Sequence, residues 1–370
     1  MTDLVHMRAA LSLAERGLGQ VAPNPAVGCV LVSSDGQIVG RGWTQPGGRP
    51  HAETEALRRA GPLAKGATAY VTLEPCSHHG KTPPCADALV AAGIARAVVA
   101  LEDSDPRVSG RGIARLRDAG IAVDVGLCAD EARRLNEGFF LKVEQGRPLV
   151  TVKLASSLDG NIATHSGDSK WITGPEARRH AHLLRATHDA ILVGSNTALS
   201  DDPELTCRLP GLAGRSPVRI VADGRLRLPL TSRLVATASQ VPTWLCTREG
   251  NDPSRLDAYR DLGLEVIELP GDGDNPLDVT ALAQALGARG ITRLLVEGGG
   301  AVIAALLQRD LIDRLVWFRA GLAIGGDGVP AIGGLGLQRV ADAPDFVRTD
   351  AVPVGADMME CYARNPIPRA

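Results

Sequence analysis

The sequence predicts an α/β protein of two domains. Three observations lead there. Short apolar runs of strand length alternate with segments whose apolar residues recur at helical spacing. The alternation restarts after a polar stretch with Gly and Pro, Val143 to Pro148. The 370 residues suit two domains of roughly 100–200 residues each. The expected domains are 1–145 and 149–370, and strands alternating with helices argue for mostly parallel sheets.

In the first domain, residues 3–16 repeat apolar side chains at helical spacing through Leu4, Met7, Ala10, Leu11 and Ala14. A turn-rich loop, Val21 to Gly28, leads into the strand Cys29 to Val32. Asn24 stands there between Pro23 and Pro25, which stiffen its backbone. It reads equally as a rigid amide for a ring edge or as an ordinary turn residue. A turn at Ser33 to Gly36 makes a hairpin with Ile38 to Gly42. His51 and Glu53 open a helical segment, and Ala69 to Glu74 reads as a strand. Cys76 follows Pro75 and is expected to open a helix, as Cys85 is after Pro83 and Pro84. A strand at 95–101, a helix at 110–118, a strand at 121–125 and a helix at 130–141 complete the domain.

His51, Cys76 and Cys85 are the residue types of a zinc site. One imidazole and two thiolates leave a fourth position for water, whose pKa zinc lowers towards neutrality. Glu53, two residues past His51, is placed to take a proton from that water and pass it to a departing amine. His51-Ala52-Glu53 and Pro75-Cys76 match the H-x-E…P-C signature of zinc deaminases, but eight residues separate Cys76 from Cys85 instead of two. The competing reading is a closed structural site with a fourth ligand from His78 or His79.

Composition narrows the function. Net charge is −2 and aromatics are 3% of the chain, so neither a basic nucleic-acid surface nor a base-stacking platform is expected. The seven cysteines are scattered and odd in number, which is no disulfide framework. No secretory core opens the chain, and no apolar run approaches the roughly 18 residues that span a bilayer. A cytoplasmic protein without membrane or nucleic-acid partners is expected.

The second domain is expected to hold strands at 149–155, 190–194, 218–222, 243–246, 265–269, 293–296 and 314–318, with helices at 175–187, 278–288 and 301–309. Glu297-Gly-Gly-Gly300 joins a strand to a helix, a turn that admits a phosphate at the helix N-terminus or is simply tight. Arg185 and Arg208 can grip a phosphate by bidentate hydrogen bonds, though each alone is more often a solvated surface charge.

The stretches PNPAVG (23–28), HAE (51–53), EPCSHHGKTPPC (74–85), VKLASSLDG (152–160), SKWITG (169–174), VGSNTALSDDPELTCR (193–208) and VEGGG (296–300) occur in one order. On these the chain resembles, over about residues 3–365, the bifunctional deaminase/reductases of riboflavin biosynthesis. The long PCSHHGKTPPC loop explains the wide Cys spacing and sets the family apart from cytidine deaminases. The resemblance implies a cytidine-deaminase-like three-layer domain followed by a dihydrofolate-reductase-like domain. The first would deaminate 2,5-diamino-6-ribosylamino-4(3H)-pyrimidinone 5′-phosphate, with zinc on His51, Cys76 and Cys85 and with Glu53 moving protons. The second would use NADPH to reduce the ribosyl chain of the product to ribityl. Ala155, Trp171, Thr197, Asp201, Gly224, Gly299, Gly300 and Ala301 would face NADPH. Ser169, Arg185, Leu205, Arg208 and Glu297 would face substrate, with Lys153 and Asp201 orienting the sugar. Asn24, His78 and Lys81 would contact the pyrimidine substrate, the latter two through its phosphate. A homo-oligomer, dimer or tetramer, is expected. Arg225 or Arg227 is a candidate reader of a 2′-phosphate, or surface charge.

One departure stands out. The family pattern has a His seven residues before the zinc His, where this chain carries Thr44. Two other readings remain at this point: a deaminase of another small nucleotide with a non-catalytic C-terminal module, and a scaffold with structural zinc.

Overall fold

A computed structural model describes residues 2–78, 83–105, 108–271 and 277–365. The chain forms two compact units, Met1–Gly146 and Arg147–Ala370.

The first unit runs α1 (Thr2–Ala14), β1 (Gly28–Val32), β2 (Ile38–Trp43), α2 (Ala52–Ala60), β3 (Thr68–Val71), α3 (Cys85–Ala91), β4 (Arg96–Val99), α4 (Arg111–Asp118), β5 (Ala122–Val125), α5 (Ala129–Leu135) and α6 (Glu137–Gln145). The sheet order is β2-β1-β3-β4-β5. It is mixed, not mostly parallel: β1 runs antiparallel to β2 and β3, while β3, β4 and β5 are parallel. Alternate residues of β1 point to opposite faces. Cys29 and Leu31 join a core with Ala52, Ala56, Leu89, Leu116 and Phe140. Val30 and Val32 join a second core with Met7, Leu11 and Ala132. Helices therefore cover both faces, giving three layers, and an uninterrupted apolar strand is what such burial requires.

Two local expectations fail here. Cys76 opens no helix; it lies in coil, and its carbonyl accepts the Ala86 N–H at 3.2 Å. That bond satisfies an otherwise free donor at the start of α3. The helix expected over 130–141 is two helices, broken at Asn136. Its buried side chain accepts the Ala26 N–H at 2.8 Å and donates to the Ala26 carbonyl at 2.9 Å. The side chain is thus committed to a distant stretch of backbone, the loop before β1.

The second unit runs β6 (Leu149–Ser156), β7 (Asn161–Ala163), α7 (Pro175–Ala186), β8 (Ala190–Gly194), α8 (Ser195–Asp201), β9 (Val218–Ala222), α9 (Arg233–Ala236), β10 (Thr243–Arg248), α10 (Pro253–Asp261), β11 (Glu265–Leu269), α11 (Val279–Ala288), β12 (Arg293–Glu297), α12 (Gly300–Gln308), β13 (Arg314–Arg319), β14 (Val329–Pro330), β15 (Phe346–Val354) and β16 (Asp357–Arg364). The main sheet has the order β11-β10-β9-β8-β12-β6-β13-β16-β15. Its first seven strands are parallel, and β16 and β15 close it as an antiparallel hairpin. Leu192 and Ile191, neighbours on β8, enter separate cores on the two faces. The carboxyl ends of β6, β8, β9 and β12 share one edge, where open α/β sheets bind ligands.

The terminal hairpin was not expected from sequence. β15 is exposed over most of its length and carries Pro353, so it lacks the apolar alternation that marks a half-buried strand.

Candidate active sites

The first site starts from the packing of α2 on β2. A Cβ on Gly42 would lie 2.1 Å from the Ala52 carbonyl oxygen. Only glycine lets the helix settle on the strand there. His51 is the residue before α2, and Glu53 lies in its first turn. Cys85 is the first residue of α3, and its N–H donates to Cys76 Sγ at 3.3 Å.

Glu74 fixes the coil before Cys76. Its carboxylate accepts N–H groups from Gly112 at 2.7 Å, Gly110 at 2.9 Å, Ile113 at 3.1 Å and Asp103 at 3.2 Å. A carboxylate at the start of α4 satisfies donors the helix leaves free. A Cβ on Gly112 would fall 1.9 Å from the Pro75 carbonyl, so α4 meets the coil backbone to backbone.

These contacts bring His51, Cys76 and Cys85 together, with their ligand atoms within 4.8 Å of one another. His51 Nδ1 is 3.2 Å from Cys85 Sγ and 3.6 Å from Cys76 Sγ. Tetrahedral zinc, with bonds of about 2.0–2.3 Å, sets neighbouring ligand atoms about 3.5–3.8 Å apart. The donor set fits zinc; the 3.6 Å separation lies in that range and the 3.2 Å one is slightly shorter. His78 does not join the cluster, and its Nδ1 is buried without a partner among the described residues. His79 and Lys81 lie outside the described residues.

Glu53 is 3% exposed. Burial pushes its carboxyl up to about 7, the nearby Cys76 charge adds to this, and His51 opposes it. The Cys76 thiol falls to about 4, chiefly through its hydrogen bond with Cys85, while the Cys85 thiol rises. Metal binding at such thiols displaces their protons.

Asn24 is half-buried, with its amide against Gly48, where a Cβ would come within 1.7 Å of Nδ2. Thr44, standing where the family pattern has His, is buried. Its hydroxyl accepts the Val27 N–H at 3.0 Å and donates to the Pro25 carbonyl at 3.1 Å. Thr44 and Asn136 therefore clamp the Asn24 loop, and that hydroxyl is spent on the backbone. Sequence reasoning missed Asn136 and the anchoring role of Glu74. A lone Asn in a helical run gives no signal, whereas an acid directly before Pro-Cys does.

The second site is a cavity of about 1620 Å³ along the strand ends of the second unit. All the candidates of this unit line it. Lys153 and Ala155 come from β6, Thr197 and Asp201 from α8, and Gly224 follows β9. Glu297, Gly299, Gly300 and Ala301 come from the β12–α12 junction. Ser169 and Trp171 precede α7, Arg185 lies on it, and Leu205 and Arg208 follow α8. Trp171 is 70% exposed, with the Arg178 guanidinium stacked 4.4 Å from its ring centroid.

Within that lining, Arg185 and Glu297 pair with each other. Arg185 Nε and Nη2 donate to the two Glu297 oxygens at 2.7 and 2.8 Å, and Nη1 donates to the Thr206 carbonyl at 2.9 Å. Burial alone would raise the Glu297 carboxyl, but Arg185 brings it down to about 2. Burial lowers the Lys153 ammonium, which Glu297 partly offsets. Arg208 pairs with Glu204 at 3.1 Å on the exposed side. The glycine turn fits a dinucleotide phosphate: Gly298 and Gly299 have φ of +96° and +89°, and a Cβ on Gly298 would meet Thr197 Oγ1 at 3.2 Å. Side chains there would fill the cradle that a pyrophosphate needs.

Family models match both units: the RibD C-terminal domain over residues 148–358, and the cytidine and deoxycytidylate deaminase zinc-binding region over residues 1–101. The riboflavin biosynthesis protein RibD of Escherichia coli K12 is 44% identical over 369 residues, covering 97% of this chain and 98% of its own length. That of Aquifex aeolicus is 42% identical over 362 residues, covering 98% of each. Among solved structures, Acinetobacter baumannii RibD superposes with a TM-score of 0.87 at 38% identity, covering 98% of this chain and 99% of that one. A Thermotoga maritima diaminohydroxyphosphoribosylaminopyrimidine deaminase/5-amino-6-(5-phosphoribosylamino)uracil reductase gives 0.85 at 35% identity, with 98% and 99% covered.

Proposed function

The chain belongs to the RibD family of bifunctional riboflavin-biosynthesis enzymes, and on that footing we propose how its two units divide the work. Residues 1–145 deaminate 2,5-diamino-6-ribosylamino-4(3H)-pyrimidinone 5′-phosphate. Residues 149–370 reduce the resulting ribosylamino-uracil to 5-amino-6-ribitylamino-uracil 5′-phosphate. The observation that carries this reading is the three-ligand cluster with a buried acid beside it.

In the deaminase, His51, Cys76 and Cys85 hold zinc, which makes water acidic enough to act near neutral pH. The C–N bond to the 2-amino group breaks, the water oxygen takes its place, and ammonia leaves. Glu53 collects the water's proton and delivers it to the amine. Its buried position beside His51 and Cys76 suits that exchange. Asn24, on its clamped loop, orients the ring, and His78 with Lys81 receives the phosphate.

In the reductase, bound NADPH would supply hydride for reduction of the ribosyl chain. The glycine turn and Ala301 would hold its pyrophosphate, and Ala155, Trp171, Thr197, Asp201 and Gly224, which line the same cavity, would hold the rest. Lys153 and Asp201 orient the sugar. Ser169, Leu205 and Arg208 engage the substrate, and the Arg185–Glu297 pair forms a fixed wall against it. The enzyme works as a homo-oligomer in the cytoplasm; no helix among the described residues is long and apolar enough to cross a membrane.

Incubation with the diamino-pyrimidinone phosphate and mass analysis test this. Without NADPH the product should carry one oxygen in place of one amine. With NADPH it should gain two hydrogens as well. A uracil product that stays unreduced would make the C-terminal half a binding module, and no ammonia release would end the proposal.

A further inference from the structure

We propose that Arg225 and Arg227, on the turn after β9, select NADPH over NADH by gripping the adenosine 2′-phosphate. The inference rests on the reading of the second cavity as the NADPH site.

The six guanidiniums lining that cavity separate into spent and unspent. Arg185 is committed to Glu297, and Arg208 and Arg233 face Glu204 and Asp202. Arg178 lies on the Trp171 ring and donates to the Thr173 carbonyl at 2.7 Å. Arg225 lines the cavity, is exposed, and makes no hydrogen bond or ion pair with the described residues. Arg227 also lines it and is held by neutral partners, the Ser195 hydroxyl and Asn196 Oδ1, the latter at 2.7 Å. Its charge is positioned but not cancelled. Two such guanidiniums are the chemistry that recognises a phosphate dianion.

The local backbone presents both and hides the acid beside them. Leu226 and Leu228 are buried, so Arg225 and Arg227 project from alternate positions of the turn. Asp223 would repel a phosphate, but it is 1% exposed, and its Oδ2 accepts the Leu228 N–H at 2.7 Å beneath the turn.

Position along the sheet agrees. The reacting end, with Lys153 and Glu297, is on adjacent β6 and β12. From β6 the order continues through β12 and β8 to β9, three strand spacings or about 14 Å away. The glycine turn after β12 lies between these ends. A dinucleotide with its pyrophosphate on that turn and its nicotinamide towards β6 would place its adenosine at β9, on the side of the two arginines.

Calorimetric titration of the full chain with adenosine 2′,5′-bisphosphate and with 5′-AMP tests this without turnover. The unmodified protein should bind the bisphosphate about tenfold tighter or better. Arg225→Ala and Arg227→Ala, singly and together, should bring the ratio towards one while leaving 5′-AMP affinity in place. Arg225→Ala alone keeps the test decisive if the Arg227 variants do not fold, because Arg225 supports no other residue. Lys170, an exposed cation before α7, also lines the cavity, so an unchanged ratio in Arg225→Ala, or a ratio lost in Lys170→Ala instead, overturns the assignment while the cavity reading stands. Binding of neither nucleotide by the unmodified protein overturns both.

Discussion

Glu74 accepts the backbone N–H of Gly112 at 2.7 Å, and through it the coil carrying Cys76 is joined to the start of α4. Three further N–H groups converge on the same carboxylate. A glutamine cannot serve all four, because one of its two terminal atoms is itself a donor. Glu74→Gln should leave buried N–H groups unsatisfied and loosen Cys76 relative to His51 and Cys85. Stability should fall by about 2–3 kcal/mol and zinc affinity by about tenfold to a hundredfold. Competition with a chelator measures the second. Unchanged zinc affinity would show that Cys76 is positioned without Glu74.

Glu53→Gln separates catalysis from metal binding. Glu53 stands outside the three-ligand cluster, so the variant should retain zinc. Ammonia release should drop by about two to four orders of magnitude, the usual worth of a positioned proton carrier. A variant that keeps its rate removes Glu53 from the proton path. One that loses zinc reveals a structural role for the acid instead.

The chemistry of the first site was legible in the sequence because its residues are rare and close in the chain. His51, Glu53 and Cys85 need only local helix starts to take their places. Gly42 carried no signal, since what it permits is contact with Ala52, a residue of a different element. Cys76 was misread for a related reason: Pro75 favours a helix start, but the Cys76 carbonyl is used by Ala86 of α3. Asn136 was invisible because its partner, Ala26, is 110 residues away. In the second unit the parallel strands are continuous apolar runs and were found. β15 draws its order from pairing with β16, and its own exposed residues do not report that. The Arg185–Glu297 pair likewise depends on a contact spanning 112 residues, so two residues expected to meet substrate separately turn out to hold each other.

Acid should weaken the second unit through His188. This side chain is 1% exposed, and its Nδ1 lies 2.7 Å from the Leu184 carbonyl. Its Nε2 has no partner among the described residues. Burial first, then the charges of Arg293 and Arg314, depress its pKa to about 3; the Leu184 carbonyl and Glu297 act the other way. The unfolded chain takes up a proton near pH 6.5 that the folded chain refuses until about 3. Stability from this group is therefore complete above pH 6.5 and is lost progressively as pH falls towards 3. Between about pH 7.5 and 5.5 the loss should be about 1.4 kcal/mol, one tenfold change in proton linkage. His188→Asn keeps a donor for Leu184 and cannot titrate, so urea unfolding of this variant should lack that share of the acid sensitivity. It should be less stable than the parent at neutral pH, because a smaller side chain leaves part of the site empty. If the variant and the parent lose the same stability over that interval, the acid response belongs to another group.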